Sequence, residues 1–362
     1  MKNRTINPVL AALSMIMVIL ACGSPNATEA PAAQPPTGAI VSVTDTAGPP
    51  PTESIQHQIT PVNLPENRSD HAGDYDSSVT AEEKKSNGGD RFTFEQFERP
   101  FNAETMDTYF PELDILDAFL YEDQTWVFAS IQVKDRSAAN SSPYRFAMQV
   151  DTEVDGKGDF LVIASNPAST DWTTDGVQVF FDTNSDVGDL TAMFTDEGST
   201  SDGFETMIFD QGKGDDPDVA WVRVSPLDSN TIEIAIKRSV LGNPAQYMVD
   251  LWAGHATLDA TLFDYSDQYT HEQAGAADPG FPNFYPIKSV FELDNTCRMA
   301  VGFQPTGYEP GVCEQPTIPP GKPGPVACTA SQLQIAFCVL NGGTWNSSNC
   351  TCTPPTPIPP PN

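Results

Sequence analysis

The sequence has few basic residues, and this shortage limits what the protein can bind. Its 362 residues include 18 Lys and Arg against 49 Asp and Glu, a formal net charge of −31. Proteins that bind nucleic acid hold its phosphates with clustered Lys and Arg. This composition therefore excludes nucleic acid as a partner and is typical of a protein that is kept soluble outside the cell.

The common catalytic motifs are also missing. The chain contains no G-x-S-x-G turn, no H-E-x-x-H pair and no glycine-rich phosphate loop before a helix. Its four histidines, at positions 57, 71, 255 and 271, are scattered. We therefore predict a protein that is not an enzyme. Because Asp and Glu are so abundant, an acid/base carboxylate pair of the glycoside hydrolase kind stays open as an alternative.

The first 22 residues contain an apolar run, at positions 8–20, that is too short to cross a bilayer. It follows Lys2 and Arg4 and leads into Leu20-Ala21-Cys22-Gly23. Residues 1–22 are therefore predicted to be a secretory signal. The cysteine after a small residue resembles a bacterial lipobox, which implies that Cys22 becomes lipidated. We expect an exported, membrane-anchored lipoprotein that faces the extracytoplasmic side, at the cell surface or in the periplasm.

Cysteine is rare before position 297. Besides Cys22, the chain has six cysteines, namely Cys297, Cys313, Cys328, Cys338, Cys350 and Cys352. An even number in an exported protein predicts disulfides. We expect Cys297 to pair with Cys313. The other four lie in the tail and are expected to pair among themselves, in one of three arrangements that the spacing leaves open.

Composition divides the chain into six parts. After the signal, residues 23–89 are rich in Pro, Ala, Ser and Thr and nearly free of aromatics, which predicts a disordered stalk. Residues 90–313 hold most apolar segments and form the predicted folded domain. A Pro-rich linker at 314–327, a small Cys-rich module at 328–352 and a Pro-rich tail at 353–362 follow.

The apolar segments of the folded domain are short and alternate with polar residues. They lie at 126–133, 146–150, 160–164, 177–181, 206–209, 220–225, 231–237 and 248–253. A period of two with Asp, Gly, Asn and Pro between the segments indicates strands. Because no sustained helical period is present, we predict an all-β fold, an antiparallel β-sandwich flanked by disordered linkers.

Two acidic loops follow directly after predicted strands. The first carries Asp151, Glu153, Asp155 and Asp159, and the second carries Asp182, Asn184 and Asp186. Oxygens from every second residue can converge on one hard cation, so the spacing predicts calcium sites. Strand parity places both loops at the same end of the sandwich, and Asp210 joins them only if residues 190–194 form a strand. The alternative is a pair of ordinary acidic turns.

Aromatic residues in loops suggest a second kind of site. Trp172 lies in a polar loop, and Tyr265 and Tyr269 lie in a long irregular segment. Sugar rings pack on aromatic faces, so these three residues are the candidates for carbohydrate binding. Trp221 and Arg223 alternate with two valines and are expected to face solvent.

The core resembles the DOMON-like superfamily, in particular family-9-like carbohydrate-binding modules. The resemblance covers residues 92–303 and rests on short segments at 113–135, 174–183, 231–242 and 263–267. It implies a β-sandwich that binds calcium and, in its better-known members, sugar chain ends between two tryptophans. Other DOMON-like domains bind haem through a Met/His pair, for which Met148, Met248 and His255 are the candidates here.

The leading hypothesis is a lipid-anchored, non-catalytic module that is stabilised by calcium and binds a glycan or cell-surface polysaccharide. The rival is a structural or adhesion lipoprotein whose calcium loops only stabilise it and whose partner is a protein. A glycan array run with and without chelator would separate the two.

Overall fold

The computed structural model describes residues 55–86, 90–92, 95–137, 143–188, 202–275, 286–314, 338, 344–346 and 351–353. The predicted signal, Cys22, the segment 190–194 and two tail cysteines, Cys328 and Cys350, lie outside them. No helix in these ranges is long and apolar enough to cross a membrane.

The described chain is built from short strands. They are β1 (Asp70–Gly73), β2 (Glu98–Arg99), β3 (Ile115–Glu122), β4 (Trp126–Val133), β5 (Arg145–Asp151), β6 (Phe160–Ser165), β7 (Val177–Phe181), β8 (Thr206–Asp210), β9 (Ala220–Val224), β10 (Thr231–Lys237), β11 (Tyr247–Gly254), β12 (Leu293–Asn295), β13 (Met299–Val301), β14 (Thr344–Asn346) and β15 (Thr351–Thr353). The helices α1 (Tyr265–Gln268) and α2 (His271–Ala274) are one turn each. Each predicted strand is present, to within one residue at either end.

The strands form two main antiparallel sheets, which confirms the predicted all-β sandwich. One sheet has five strands in the order β1-β3-β4-β10-β9. The other has the order β2-β12-β11-β5-β6-β7-β8, with β13 also paired to β11. In the tail, β14 pairs with β15 as a separate hairpin.

The main core lies between the two sheets, and β10 shows how alternation builds it. Ile232, Ile234 and Ile236 are fully buried among residues of both sheets. Glu233 and Lys237 point to the other face, where they pair with Arg223 and Asp216. Side chains alternate across a strand, so one β-branched face packs inward while the charged face stays outward.

Both outer faces of the sandwich are covered by other parts of the chain. A second apolar cluster around Trp252, with Phe263 and Tyr265, covers the eight-stranded sheet. On the five-stranded sheet, Trp126, Phe128 and Trp221 form a third cluster. Trp221 and Arg223 are 3% and 8% exposed, so the prediction that they face solvent is wrong. Residues 55–66 lie over them and shield them from water.

The predicted stalk of residues 23–89 is too long at its C-terminal end. Residues 55–86 are described as part of the sandwich, and β1 pairs with β3 from Asp70–Leu120 to Gly73–Asp117. This stretch is poor in large apolar residues, and side chains elsewhere in the fold hold it in place. The sandwich therefore begins well before residue 90.

The disulfide predictions agree with the described cysteines. Cys297 and Cys313 are bonded, with their Cα atoms 4.9 Å apart. In the tail, Cys338 is bonded to Cys352. Both bonds fit an oxidising compartment outside the cytoplasm.

Candidate metal centre

The two predicted calcium loops lie side by side at one end of the sandwich. In the sheet, Val150 is paired with Phe160, and Phe160 with Phe181. Asp151, the last residue of β5, and Asp182, which follows β7, therefore lie at the same end of the sheet. The amide of Gly158 donates to the carbonyl of Val187 at 3.0 Å. Asp210 pairs with Gln178 at the far end of β7 and does not join them.

Asp151 and Asp182 play the same structural role in their loops. The Asp151 carboxylate accepts hydrogen bonds from the amides of the residues two, three and five positions later, at 2.6–3.1 Å. The Asp182 carboxylate accepts bonds from the equivalent amides at 2.8–3.1 Å. Val154 and Ser185, three residues after each aspartate, both have positive φ, at 61° and 56°. The two loops therefore share one backbone conformation, organised around an aspartate.

A guanidinium group supplies positive charge beneath these loops. Arg298 donates to the carbonyl of Gly156 at 2.7 Å and lies 3.5 Å from Glu95. Burial raises the pKa of Asp151, and the bond from the Gly156 amide and the charge of Arg298 partly offset this rise. Burial also raises the pKa of Asp250 to about 7, which Arg298 again opposes. Backbone amides and one arginine thus offset the charge of Asp151 from within the protein, whereas burial and the charges of Asp182, Asp202 and Glu205 raise the pKa of Asp186 in the second loop.

The carboxylates of the two loops do not converge. Glu153 and Asp155 are exposed, and Asp159 accepts bonds from the amide and hydroxyl of Thr152 at 2.6 Å each. In the second loop, the side-chain amide of Asn184 donates to Asp202 at 3.2 Å, and one enclosed oxygen of Asp186 has no donor among the described residues. Among the described residues, no three carboxylates of these loops place oxygens within 4.8 Å of one another. Calcium binding at the loops stays a prediction that the loop geometry does not favour.

A different group of carboxylates does converge, at the place where the edges of the two sheets meet. Glu98 on β2 and Asp294 on β12 lie directly opposite each other in register. Asp114 precedes β3, and its side chain completes a set of three whose oxygens lie within 4.8 Å of one another. Asp74 follows β1 and adds its charge to the same place. We call these four residues the buried carboxylate cluster.

Few hydrogen-bond donors reach this cluster. The hydroxyl of Ser77 donates to Glu98 at 2.5 Å, and the amide of Ile115 donates to Asp294 at 2.7 Å. The hydroxyl of Tyr109 donates to Asp114. One oxygen each of Glu98, Asp294 and Asp74 is enclosed and has no donor among the described residues. Glu98 is 1% exposed and Asp294 fully buried, so these oxygens are also cut off from bulk water.

Nearby cations are engaged elsewhere. Lys134 bonds to Asp76 at 2.7 Å, and Arg99 bonds to Asp90 at 2.5 Å. Burial, and to a smaller extent the charge of the neighbouring Asp114, raises the pKa of Asp74 to about 7. The pKa values of Glu98 and Asp294 are raised well above their usual range, first by burial and then by the surrounding carboxylates.

The cluster has the chemistry of a site for a hard divalent cation. It offers only oxygen ligands, and like charges at this spacing repel unless a cation or protons lie between them. The residues come from four separate parts of the chain. Three of them have a second acid two positions away, in Asp74-Tyr75-Asp76, Glu112-Leu113-Asp114 and Glu292-Leu293-Asp294. Such short acidic pairs are too common to have identified the site.

The three predicted sugar-binding aromatics do not form one surface. Tyr265 is fully buried against Trp252, and its hydroxyl donates to the carbonyl of Thr257 at 2.7 Å, so its predicted contact with a sugar is wrong. Tyr269 packs against the same cluster, on the eight-stranded sheet. Trp172 belongs to the other sheet, where its ring lies under the guanidinium of Arg223 at 4.4 Å.

The haem candidates are likewise engaged by the protein. The Nδ1 atom of His255 lies 2.9 Å from Glu292, and Nε2 lies 3.7 Å from Glu112. Burial alone would lower the pKa of His255, but these two carboxylates outweigh it and raise the pKa to about 9. Met148 lies in the main core, and Met248 is also fully buried. This geometry is that of a charged histidine between carboxylates.

No protein-family model matches the sequence, and comparisons with the curated proteins and with the solved structures find no match either. The DOMON-like resemblance therefore stays an expectation that rests on its short motifs.

Proposed function

We propose that this chain is a lipid-anchored, extracytoplasmic protein whose non-catalytic β-sandwich is stabilised by calcium bound at the buried carboxylate cluster. One observation carries the proposal. Glu98, Asp114 and Asp294 bring oxygens within 4.8 Å of one another, and two of these residues hold an enclosed oxygen for which the described residues provide no donor. A cation there joins β2 and β12 of one sheet to the loops beside β1 and β3 of the other.

The ligand set favours calcium over the other common cations. The cluster offers carboxylate oxygens and no thiolate or imidazole, whereas zinc prefers nitrogen and sulfur. Magnesium usually keeps several of its waters, which an enclosed site of four carboxylates has little room for. Calcium accepts many oxygen ligands in flexible geometry, and extracellular sites bind it with dissociation constants of about 10⁻⁴–10⁻³ M.

Terbium luminescence tests the site directly, since Tb³⁺ is an oxygen-binding ion of similar size to Ca²⁺. The hydroxyl of Tyr109 donates to Asp114, so its ring is close enough to sensitise a bound ion. We expect Tb³⁺ emission on tyrosine excitation that calcium competes away. Glu98→Gln with Asp294→Asn should abolish it.

Two single variants locate the emitting ion. Tyr109→Phe should lower the emission while leaving calcium affinity within about a factor of three, measured by calorimetry. Tyr308→Phe, at a tyrosine that is 58% exposed, should leave both unchanged. Emission that survives the double carboxylate variant at full strength would place the ion elsewhere and contradict the proposal.

The lipid anchor is proposed from Leu20-Ala21-Cys22-Gly23. The disulfides Cys297–Cys313 and Cys338–Cys352 support export but do not bear on lipidation. Metabolic labelling with a fatty acid should mark the wild type and not Cys22→Ser, which should leave the membrane fraction or keep its signal. A wild type that takes up no label would rule the anchor out.

A further inference from the structure

The outer face of the five-stranded sheet carries an unusual amount of aromatic surface for a face that points away from the core. Trp126, Phe128 and Trp221 are at most 3% exposed there, and Trp172 packs beside them. Arg223 pairs with Glu233 at 2.5 Å in the middle of this face and stacks over Trp172. We call these residues, with Asp218, the aromatic face.

A stretch of the chain without regular secondary structure, residues 55–66, lies over the aromatic face, and we call it the strap. Among its described residues, none makes a backbone-to-backbone hydrogen bond with a strand. The strap is therefore not an added strand of the sheet. Most of it is exposed, including Val62 at 72%, whereas Pro61 is buried and Leu64 is half-buried against the aromatic cluster.

Side chains of the face hold the backbone of the strap. The carboxylate of Asp218 accepts bonds from the amides of Gln58 and Ile59 at 2.8 and 3.0 Å. The carbonyl of Val62 accepts bonds from the indole of Trp172 at 2.9 Å and the guanidinium of Arg223 at 3.2 Å.

Two strap side chains add to these contacts. The ring of His57 packs on Trp221 with 4.5 Å between centroids, and its Nδ1 atom lies 2.7 Å from Asp218. The ring of Pro61 is buried.

This arrangement is that of a receptor holding an extended peptide. Domains that bind proline-rich segments use aromatic grooves and side-chain donors to backbone carbonyls, because an extended chain leaves its own carbonyls free. One donor of the face is still unused, since the buried indole nitrogen of Trp221 has no acceptor among the described residues. A ligand with one more carbonyl in reach would satisfy it.

We propose that the aromatic face is a binding site for extended, proline-containing peptides of other proteins, and that the strap is its built-in occupant. Asp218, Trp172 and Arg223 bond to backbone atoms, which any peptide provides. The site discriminates through the burial of Pro61 and the contact of Leu64 with the aromatic cluster. The strap competes through its tether, so a partner peptide binds only at high local concentration or when the strap is displaced.

The test uses the full chain with the strap contacts removed by His57→Ser, Pro61→Gly and Leu64→Ser. The probe is a fluorescent peptide with the sequence of residues 54–66, followed by anisotropy. We expect this variant to bind the peptide at least about tenfold more tightly than the wild type, whose tethered strap competes. Adding Trp172→Ala and Arg223→Gln should abolish binding, and so should replacing both prolines of the probe by glycine.

A measurement on the wild type covers the case in which the strap variant does not fold. The amides of Gln58 and Ile59, held by Asp218, should exchange hydrogen several-fold faster in millimolar unlabelled peptide than in the proline-free control. No acceleration would overturn the proposal. So would a folded strap variant that ignores the peptide, or one that binds cello- or xylo-oligosaccharides in its place.

Discussion

The acidic loops and the buried carboxylate cluster are both dense in negative charge, but they differ in what neutralises it. At the loops, Asp151 and Asp182 each accept three backbone amide bonds, and Arg298 lies beneath. At the cluster, one enclosed oxygen each of Glu98, Asp294 and Asp74 has no donor among the described residues. The Asp151 loop shows that alternating Asp residues can mark a turn that satisfies its own carboxylate, whereas a cation site requires charge left unbalanced.

The largest expected effect breaks the neutralisation of the loops. Arg298→Met removes the cation near Asp151, Glu95 and Asp250, all of which are buried. Removing one partner of a buried ion pair costs about 3–5 kcal/mol, because the remaining charge is left unpaired. Chemical denaturation should show this loss both with calcium and with chelator. Rescue by calcium would mean that an ion can replace the guanidinium, and the contrast between the two regions would fail.

The next effect concerns pH at the cluster. In the folded protein the pKa of Asp74 is raised to about 7 and that of Asp114 to about 6. The contribution of these two carboxyl groups to the stability of the ion-free fold is therefore fully present below pH 4. That stabilisation is lost as the pH rises through 6–7, since the ionised carboxylates then repel one another. With chelator, we expect the unfolding free energy to fall by at least about 1.4 kcal/mol between pH 4.5 and 8, the equivalent of one pKa unit in one group.

Calcium should reduce that fall, because it binds the ionised carboxylates and competes with protons. His255, whose pKa is raised to about 9, adds a separate loss between pH 6.5 and 9. Below pH 6.5, the difference between the two pH curves, from denaturation with calcium and with chelator, therefore reports the cluster. Parallel curves would contradict calcium binding there.

The third prediction concerns a variant in which two carboxylates of the cluster are replaced by neutral amides. Glu98→Gln with Asp294→Asn should remove the calcium response, which is about 1.4 kcal/mol at ten times the dissociation constant. The same variant should be as stable as the wild type in chelator, or more stable, since it has lost repulsion. Melting temperatures with calcium and with chelator measure both. A wild type that melts at the same temperature in each would mean that the cluster binds no calcium.

The smallest effect is expected at Asp155, where the two regions are most directly compared. Its side chain is exposed and, within the part of the chain that the structure describes, bonds only to the nearby backbone amide of Lys157, at 3.0 Å. Asp155→Ala should therefore change stability by no more than about 0.5 kcal/mol and leave the calcium response intact. If instead the melting shift with calcium disappears, the loop is a calcium site after all, as its alternating spacing suggests.

The sequence was a good guide wherever the signal was local. Strands such as β10 are predicted by the alternation that places Ile232, Ile234 and Ile236 on one face. The pairing of Cys297 with Cys313 is predicted because these two cysteines lie apart from the others in the chain. The sequence does not predict the strap, because the composition of residues 55–66 is that of a disordered linker. Its order comes from Asp218, Trp172 and Arg223, which lie more than a hundred positions away.

By itself, the sequence determined the all-β character and the positions of the strands, because alternation and turn residues act over a few neighbouring positions. It also determined the pairing of Cys297 with Cys313, because these two cysteines lie apart from the others in the chain. Only the tertiary structure decided which carboxylates meet and what covers the outer sheet. Glu98 and Asp294 become neighbours when β2 pairs with β12, and no short-range pattern encodes that pairing. Ionising these two carboxyl groups costs free energy because the two sheets bury them and exclude water.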